Sequence, residues 1–176
     1  YPDWLLKLYL EMPPSISENT RRLAQQIIAD AKATTPYDKA KAVESWLRTN
    51  IAYNEAIPQP PADRDPVEWV LFDIKQGYCN YYASAMVLML RTLGVPARMA
   101  AGFAQGTWDD AQQAYSVKER DAHTWVEVYF PGYGWIEFEP TAAQAPLNRQ
   151  DDTPQPNLPS PTPAATSTPT ITPSPS

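Results

Sequence analysis

The sequence predicts an α+β fold in which N-terminal helices precede a small antiparallel sheet, and a helix that opens at Cys79 packs on that sheet. Residues 15–49 repeat apolar side chains at helical spacing, whereas residues 123–139 alternate apolar and polar side chains as strands do. Between these two regions, residues 77–99 hold the only cysteine of the chain. The change of period along the chain therefore places helices first and most of the sheet last.

Composition limits the classes of function. The 176 residues, 43% of them hydrophobic and six of them tryptophan, suit one folded domain. A net charge of −6 argues against nucleic acid as a partner.

One cysteine and one histidine cannot form a typical structural zinc site, so we expect no metal and no cofactor. No apolar stretch approaches the roughly 18–20 residues that span a bilayer. The chain starts at Tyr1 without a visible signal peptide, and we expect an excised domain.

The first two helices are predicted from apolar spacing. Residues 1–12 suit a short helix that packs Trp4, Leu5 and Leu8 on the body, and the alternative is the juxtamembrane end of a removed segment. Residues 15–33 form the next helix. Ser15 and Glu18 in this segment have the spacing of a capping box, and the apolar stripe that follows consists of Leu23, Ile27 and Ala31.

Two further helices start with a cap followed by proline. Thr35 caps a helix that has Pro36 at its first position and runs to about Thr49. Asp65 begins the same pattern again and starts a short helix that ends near Phe72. Both helices precede the cysteine segment and are expected to contribute mainly to the core.

The helix that opens at Cys79 is the central element. Apolar and small residues continue at helical spacing until Gly94 and Pro96 end the helix. A cysteine at a helix start faces unpaired backbone N–H groups and the positive end of the helix dipole, which favours thiolate over thiol. A small buried apolar residue is the alternative interpretation of Cys79, because many free cysteines are of that kind.

A hairpin is predicted around the single histidine. His123 begins one alternating run, a glycine-rich turn follows, and residues 135–139 return as the second strand. If Glu139 pairs with His123 or Trp125, its carboxylate lies on the face of the histidine and within reach. Pairing with Val126 places it on the opposite face. The sequence leaves both registers open.

The segments before the histidine complete the sheet prediction. Residues 96–103 read as its first strand and residues 115–118 as its second, with a polar loop containing Trp108 between them. Trp108 could grip a substrate or cover the core. Asp121 is a possible competitor of the hairpin acid, because it immediately precedes the histidine segment.

Two blocks, GYCNYYASAMVLMLRTLGVPAR and DAHTWVEVYFPGYGWIEFEPT, resemble the transglutaminase-like superfamily, and more narrowly its bacterial branch carried by integral membrane proteins. The resemblance covers residues 1–142. It implies a papain/transglutaminase-like core with Cys79 as nucleophile, His123 as general base and acid, and Glu139 at the third, acidic position. The family usually has aspartate there, in the sequence FDPT where this chain reads FEPT. Glu137 lies on the same face of the strand and is the alternative acid.

The resemblance also implies a domain organisation and a location. Residues 1–142 are expected to form the transglutaminase-like domain. Residues 143–176 are rich in proline, threonine and serine, and are expected to form a disordered linker. In the family, a linker at this place leads to a transmembrane helix. We therefore expect an extracytoplasmic domain that reaches the membrane through segments outside this chain.

The implied reaction is acyl transfer on an amide bond of a protein or peptide through a thioester on the cysteine. Water as second reactant makes a peptidase or amidase, and an amine makes a transferase. A non-catalytic peptide-binding or scaffold module is the alternative, since aromatic residues surround both blocks and suit a peptide groove. The sequence does not define an oligomeric state.

Overall fold

The computed structural model describes residues 1–147, and these form the predicted α+β fold. Its five helices and seven strands in that range are α1 (Asp3–Tyr9), α2 (Glu18–Asp30), α3 (Pro36–Asn50), β1 (Ala52–Tyr53), α4 (Pro66–Glu68), β2 (Gln76–Gly77), α5 (Cys79–Thr92), β3 (Ala97–Phe103), β4 (Thr107–Asp109), β5 (Ala114–Ser116), β6 (Ala122–Phe130) and β7 (Gly134–Phe138). A π-helical turn, Trp69–Ile74, continues α4, and a 3-10 turn, Glu119–Asp121, precedes β6. None of the helices described in this range is long and apolar enough to cross a membrane.

The main sheet has three antiparallel strands in the order β3-β6-β7. Helix α5 packs on one face of it, as expected, and α3 contacts both α5 and β7. The shared core is apolar and includes Met86 and Leu90 of α5, Val126 and Val128 of β6, and Phe138 of β7. The sheet is thereby fixed against the helix that begins at the cysteine.

The cap of α3 is the one that the sequence predicts. The Thr35 hydroxyl accepts from the Asp38 backbone N–H at 3.1 Å, and the Asp38 carboxylate accepts from the Thr35 N–H at 3.3 Å. The Thr35 hydroxyl also donates to the Asp38 carboxylate at 2.7 Å, and this bond, together with the one from the Thr35 N–H, lowers the pKa of Asp38 below its usual value. Asp65 likewise caps α4 by accepting from Val67 and Glu68. That helical segment continues past Phe72 to Ile74 as a π-helical turn, two residues beyond the expected end.

Two details of the first helices differ from expectation. Helix α2 starts at Glu18 with Ser17 as its cap, whereas Ser15 donates to the Asp65 side chain at 2.8 Å. The N-cap is the residue directly before the first helical residue, and in α2 that residue is Ser17. In α1 only Leu5 is buried, while Trp4 and Leu8 are 57% and 54% exposed, because the helix is short and offers one side to the body.

The segment between β3 and the histidine forms its own hairpin. The expected polar loop 105–114 contains β4, and the expected second strand 115–118 is β5, which pairs with β4 alone in the register Thr107↔Ser116 to Asp109↔Ala114. Strand β5 therefore does not belong to the main sheet, contrary to the prediction. Strand alternation predicts that a segment is extended but does not choose its partner. Trp108 and Tyr115 meet edge to face across this hairpin with centroids 5.0 Å apart.

The end of the described chain stays close to the body. Arg48 donates to the Gln144 carbonyl at 2.8 Å, and Ala142 packs against the core. Most of the linker predicted for residues 143–176 lies outside the described residues, which end at Leu147. The boundary at residue 142 stays a prediction.

Candidate active site

Cys79 is the first residue of α5 and is partly exposed. The first backbone hydrogen bond of this helix runs from the Tyr81 N–H to the Tyr78 carbonyl, so the Cys79 N–H lies at a helix start without an intrahelical acceptor. The preceding strand β2 pairs in parallel with β1 and brings the chain to this point. A Cβ on Gly77 would lie 3.1 Å from the Tyr81 Cβ, which explains why glycine stands two residues before the cysteine.

His123 and Glu139 form a buried pair. The His123 Nε2 and Glu139 Oε2 atoms are 2.6 Å apart, and the side chains are only 7% and 8% exposed. Strands β6 and β7 pair with Val126 opposite Phe138, so the next position of this register places Glu139 opposite Trp125. This is one of the two registers that put the carboxylate on the histidine's face. The second oxygen of Glu139 accepts from the Thr141 N–H at 2.9 Å.

The other two acids considered for this role occupy different positions in the sheet and in the turn before it. Glu137 pairs with Glu127 across the hairpin and its side chain is exposed. Asp121 accepts from the Lys118 N–H at 2.7 Å in the turn before β6. Glu139 is the candidate acid whose carboxylate lies 2.6 Å from His123 Nε2.

Helix α3 supports Glu139 in a way that the sequence reading missed. Glu44, which is buried, accepts from the Glu139 backbone N–H at 2.9 Å and forms an ion pair with Lys41. Arg48, one turn later, donates to the carbonyl oxygens of Glu139 and Thr141 at 2.9 and 2.7 Å. The sequence signal for this contact was Glu44, a charged residue on the apolar face of α3, since buried carboxylates are rare unless they are paired.

A hydrogen bond joins the cysteine segment to the histidine strand. The Thr124 hydroxyl donates to the Asn80 side-chain oxygen at 2.7 Å, and each of these residues directly follows one of the reacting candidates. The Cys79 thiol is 3.7 Å from the same Asn80 oxygen. Among residues 1–147 there is no hydrogen bond between Cys79 and His123. Because the Glu139 carboxylate is hydrogen-bonded to His123 Nε2, Nδ1 is the ring nitrogen available to the Cys79 thiol.

A cavity of about 440 Å³ opens beside the His123–Glu139 pair. Trp125 forms part of its wall, and its ring is nearly parallel to the imidazole, with centroids 6.4 Å apart. Gly102 lies beneath this ring, since a Cβ there would come within 3.0 Å of it. The remaining wall is mixed in polarity and consists of Phe103, Ala104, Gln105, Glu137, Gln144, Ala145 and Leu147.

Several aromatic residues in and around the two sequence blocks have structural contacts. The Tyr82 hydroxyl donates to the Ile51 carbonyl at 2.5 Å in the core, and burial raises the pKa of Tyr82 to about 12. Tyr53 donates to Glu55 at 2.5 Å, and partial burial together with this carboxylate raises the pKa of Tyr53. Both phenols are therefore neutral at ordinary pH. Trp135 packs between Tyr9 and Tyr129, with the Arg98 guanidinium 4.1 Å from its ring centroid.

Comparison with known proteins identifies relatives in two bacteria. The chain is 42% identical over 139 residues to the uncharacterized protein YebA of Bacillus subtilis, which covers 76% of this chain and 19% of YebA. It is 34% identical over 137 residues to the protein-glutamine gamma-glutamyltransferase of Pseudomonas aeruginosa, covering 78% of this chain and 20% of that protein. The chain thus spans about a fifth of the length of the curated relatives it matches.

A solved structure agrees with these relatives. The periplasmic domain of TgpA from Pseudomonas aeruginosa, solved with ethylmercury bound, superposes with a TM-score of 0.68 at 31% identity. The superposition covers 79% of this chain and 49% of that domain. The model of the transglutaminase-like superfamily matches residues 21–140, which include the cysteine, the histidine and the acid described above. The chain belongs to the transglutaminase-like superfamily.

Proposed function

We propose that this chain catalyses acyl transfer from an amide to a second nucleophile through a thioester on Cys79. The observation that carries the proposal is the buried His123–Glu139 pair, 2.6 Å apart, tied through Thr124 and Asn80 to the start of the nucleophile helix. Membership of the superfamily supports cysteine-dependent chemistry in general. A thiol, an imidazole and an orienting acid are the three groups that this chemistry needs.

The first half-reaction assigns a role to each group. His123 Nδ1 accepts the thiol proton, and the Cys79 sulfur forms a bond to the amide carbonyl carbon. The resulting oxyanion is stabilised by the Cys79 backbone N–H, which has no intrahelical acceptor. When the C–N bond breaks, the imidazolium gives its proton to the leaving amine, and a thioester remains. Glu139 orients the ring and stabilises its charged form through Nε2.

The second half-reaction decides the class of enzyme. Attack by an amine on the thioester carbonyl forms a new amide and returns the thiol, whereas attack by water releases a carboxylate. We favour an amine acceptor and a protein glutamine as donor, because one relative that is 34% identical is named a protein-glutamine gamma-glutamyltransferase. The amide product of a glutamine donor and a primary amine is stable, and ammonia is the leaving group.

We place the domain outside the cytoplasm, connected to a membrane by segments that this chain does not contain. A similar solved structure is a periplasmic domain, which supports the location. The chain also spans only about a fifth of its curated relatives, which leaves room for such segments in a longer protein.

The test is incorporation of a fluorescent primary amine into casein, followed together with ammonia release. We expect both signals with the parent chain and neither with Cys79→Ala. A Ser84→Ala variant, one and a half turns along the same helix, is the matched control and should retain activity. Undiminished incorporation by Cys79→Ala would refute the mechanism. Ammonia release without incorporation would indicate a hydrolase, and no reaction by the parent would favour the peptide-binding module.

A further inference from the structure

The outer edge of β3 carries free backbone groups at alternate residues. The Pro96 carbonyl accepts from the N–H of its partner Tyr129 at 3.0 Å, so in this antiparallel register every second residue from Pro96 bonds to β6. The residues between them turn their N–H and C=O groups away from the sheet. Beyond Ala97, these outward residues are Met99, Ala101 and Phe103.

This edge is open and unprotected. Among residues 1–147, the outward backbone groups of Met99, Ala101 and Phe103 have no hydrogen-bond partner. The side chains of Met99 and Phe103 are 51% and 59% exposed. Natural sheets usually block such an edge with lysine, proline or a bulge. The one charged residue of β3, Arg98, is engaged with Glu127 on the other side of the strand and blocks nothing.

The open edge leads to the candidate active site. Ser84 of α5 contacts Met99, with the hydroxyl oxygen 3.9 Å from the sulfur. Ala101 pairs with Thr124, which bonds Asn80 next to the cysteine. Phe103 at the end of the strand lines the same cavity as His123. A chain laid along this edge therefore runs beside the first turns of α5 and arrives at the reacting groups.

We propose that the outer edge of β3 binds an extended segment of the substrate protein as an additional strand, and that this pairing presents the acyl-donor side chain to Cys79. The inference rests on the proposed function and names how its substrate is held. Three donors and three acceptors at two-residue spacing match the backbone of an extended polypeptide. In a second copy the paired strand, Ala97–Phe103, contains no glutamine, and continuity with the site therefore favours the substrate.

Binding can be tested without chemistry, in the full chain carrying Cys79→Ala. The probe is the fluorophore-labelled peptide Thr-Val-Gln-Val-Thr-Val, followed by fluorescence anisotropy. Ala101→Pro removes the outward N–H and leaves the bonds of its neighbours to β6 intact. We expect it to weaken binding up to about tenfold, as the loss of one hydrogen bond predicts. Ala101→Val, which keeps the N–H, should bind within about threefold of the parent.

N-methylation of the probe gives the second arm and does not depend on the stability of a variant. Methylating one amide at a time should weaken binding with a period of two along the peptide, because only alternate N–H groups face β3. Uniform effects of methylation, or no binding at about 1 mM peptide, would overturn the proposal. Edge-to-edge dimerisation in sedimentation equilibrium, abolished by Ala101→Pro, would assign the edge to a second copy instead. Periodic binding without turnover by the parent would support the strand pairing at β3 and refute the proposed function.

Discussion

Arg48 holds the backbone at and just after the catalytic acid candidate: its Nη1 atom lies 2.9 Å from the Glu139 carbonyl oxygen and 2.7 Å from that of Thr141. Its Nη2 atom donates to the Gln144 carbonyl at 2.8 Å. One turn earlier on the same helix, Glu44 accepts from the Glu139 N–H. The backbone of Glu139 is thus attached to α3 by its donor and its acceptor, while its side chain is free to contact His123.

Replacement of Arg48 by alanine should therefore impair both stability and rate. Three partly buried carbonyl oxygens lose a charged donor, and we expect the free energy of unfolding to fall by about 2–3 kcal/mol. Glu139 should then hold the imidazole less firmly, which lowers kcat more than it raises KM. Urea unfolding and steady-state kinetics on the amine-incorporation reaction measure the two effects.

Arg48→Lys is the matched variant, because lysine keeps the charge but cannot reach three carbonyls with one planar group. We expect it to recover part of the stability and less of kcat. Equal recovery of stability and kcat would show that Arg48 supports the fold without positioning the acid.

The value of kcat should depend more on the negative charge of the side chain at residue 139 than on its length. Glu139→Gln keeps the shape but removes the negative charge that stabilises the imidazolium, and we expect kcat to fall by a factor of about 100 or more. Glu139→Asp restores the residue that is usual at this position in the family and should retain more activity than the glutamine variant, although the shorter side chain weakens the contact with His123.

The measurement is kcat over a range of pH values for the parent and both variants. Thr35→Ala, which removes the cap of α3, serves as a stability control because it costs about 1 kcal/mol and Thr35 bonds Asp38, which is not a residue of the site. If Glu139→Gln retains the kcat of the parent, the acid has no role in the reaction and Glu139 is structural.

Much of this arrangement is readable from the sequence because local signals and tertiary structure agree. The cap at Thr35, the helix start at Cys79 and the hairpin between His123 and Glu139 depend on neighbouring residues, and the structure contains all three. The register between the two strands could not be predicted, since a turn of four residues and a turn of five residues place the Glu139 side chain on opposite faces of the sheet. The contact with Arg48 joins residues 91 positions apart, and no local pattern predicts it. The hairpin of β4 and β5 was likewise missed, because pairing partners depend on tertiary context.

Gly102 and Trp125 should be energetically coupled. A Cβ at residue 102 would lie 3.0 Å from the outer atoms of the Trp125 ring, so Gly102→Ala must displace an indole that lies nearly parallel to the His123 imidazole. We expect Gly102→Ala to lower stability by about 1–3 kcal/mol through overpacking and to reduce kcat as well.

Trp125→Phe removes those outer ring atoms and should relieve the clash. The double variant is therefore expected to lose less than the sum of the two single variants, with a coupling energy of about 1 kcal/mol in a double-mutant cycle. Thermal or urea unfolding of the four proteins gives this value. Strictly additive losses would mean that the glycine is needed for a reason other than the space under the indole.

Tyr82 should make the fold sensitive to alkaline pH. Its hydroxyl donates to the Ile51 carbonyl in the core, and burial raises the pKa of Tyr82 to about 12. A tyrosine in the unfolded chain has a pKa near ~10, so the unfolded state loses its proton first as the pH rises. The contribution of Tyr82 to the free energy of unfolding is therefore fully present below about pH 10 and is lost between about pH 10 and 12.

Tyr82→Phe removes both the titration and the hydrogen bond. At pH 8 we expect the variant to be about 1–2 kcal/mol less stable than the parent, because the Ile51 carbonyl is left buried without its donor. Above about pH 10 the difference should shrink by about 1 kcal/mol per pH unit, since only the parent loses the tyrosine contribution. The difference between the two proteins in urea unfolding cancels the titration of the other tyrosines. A difference that stays constant from pH 8 to about pH 11 would show that the Tyr82 phenol titrates equally in the folded and unfolded chain.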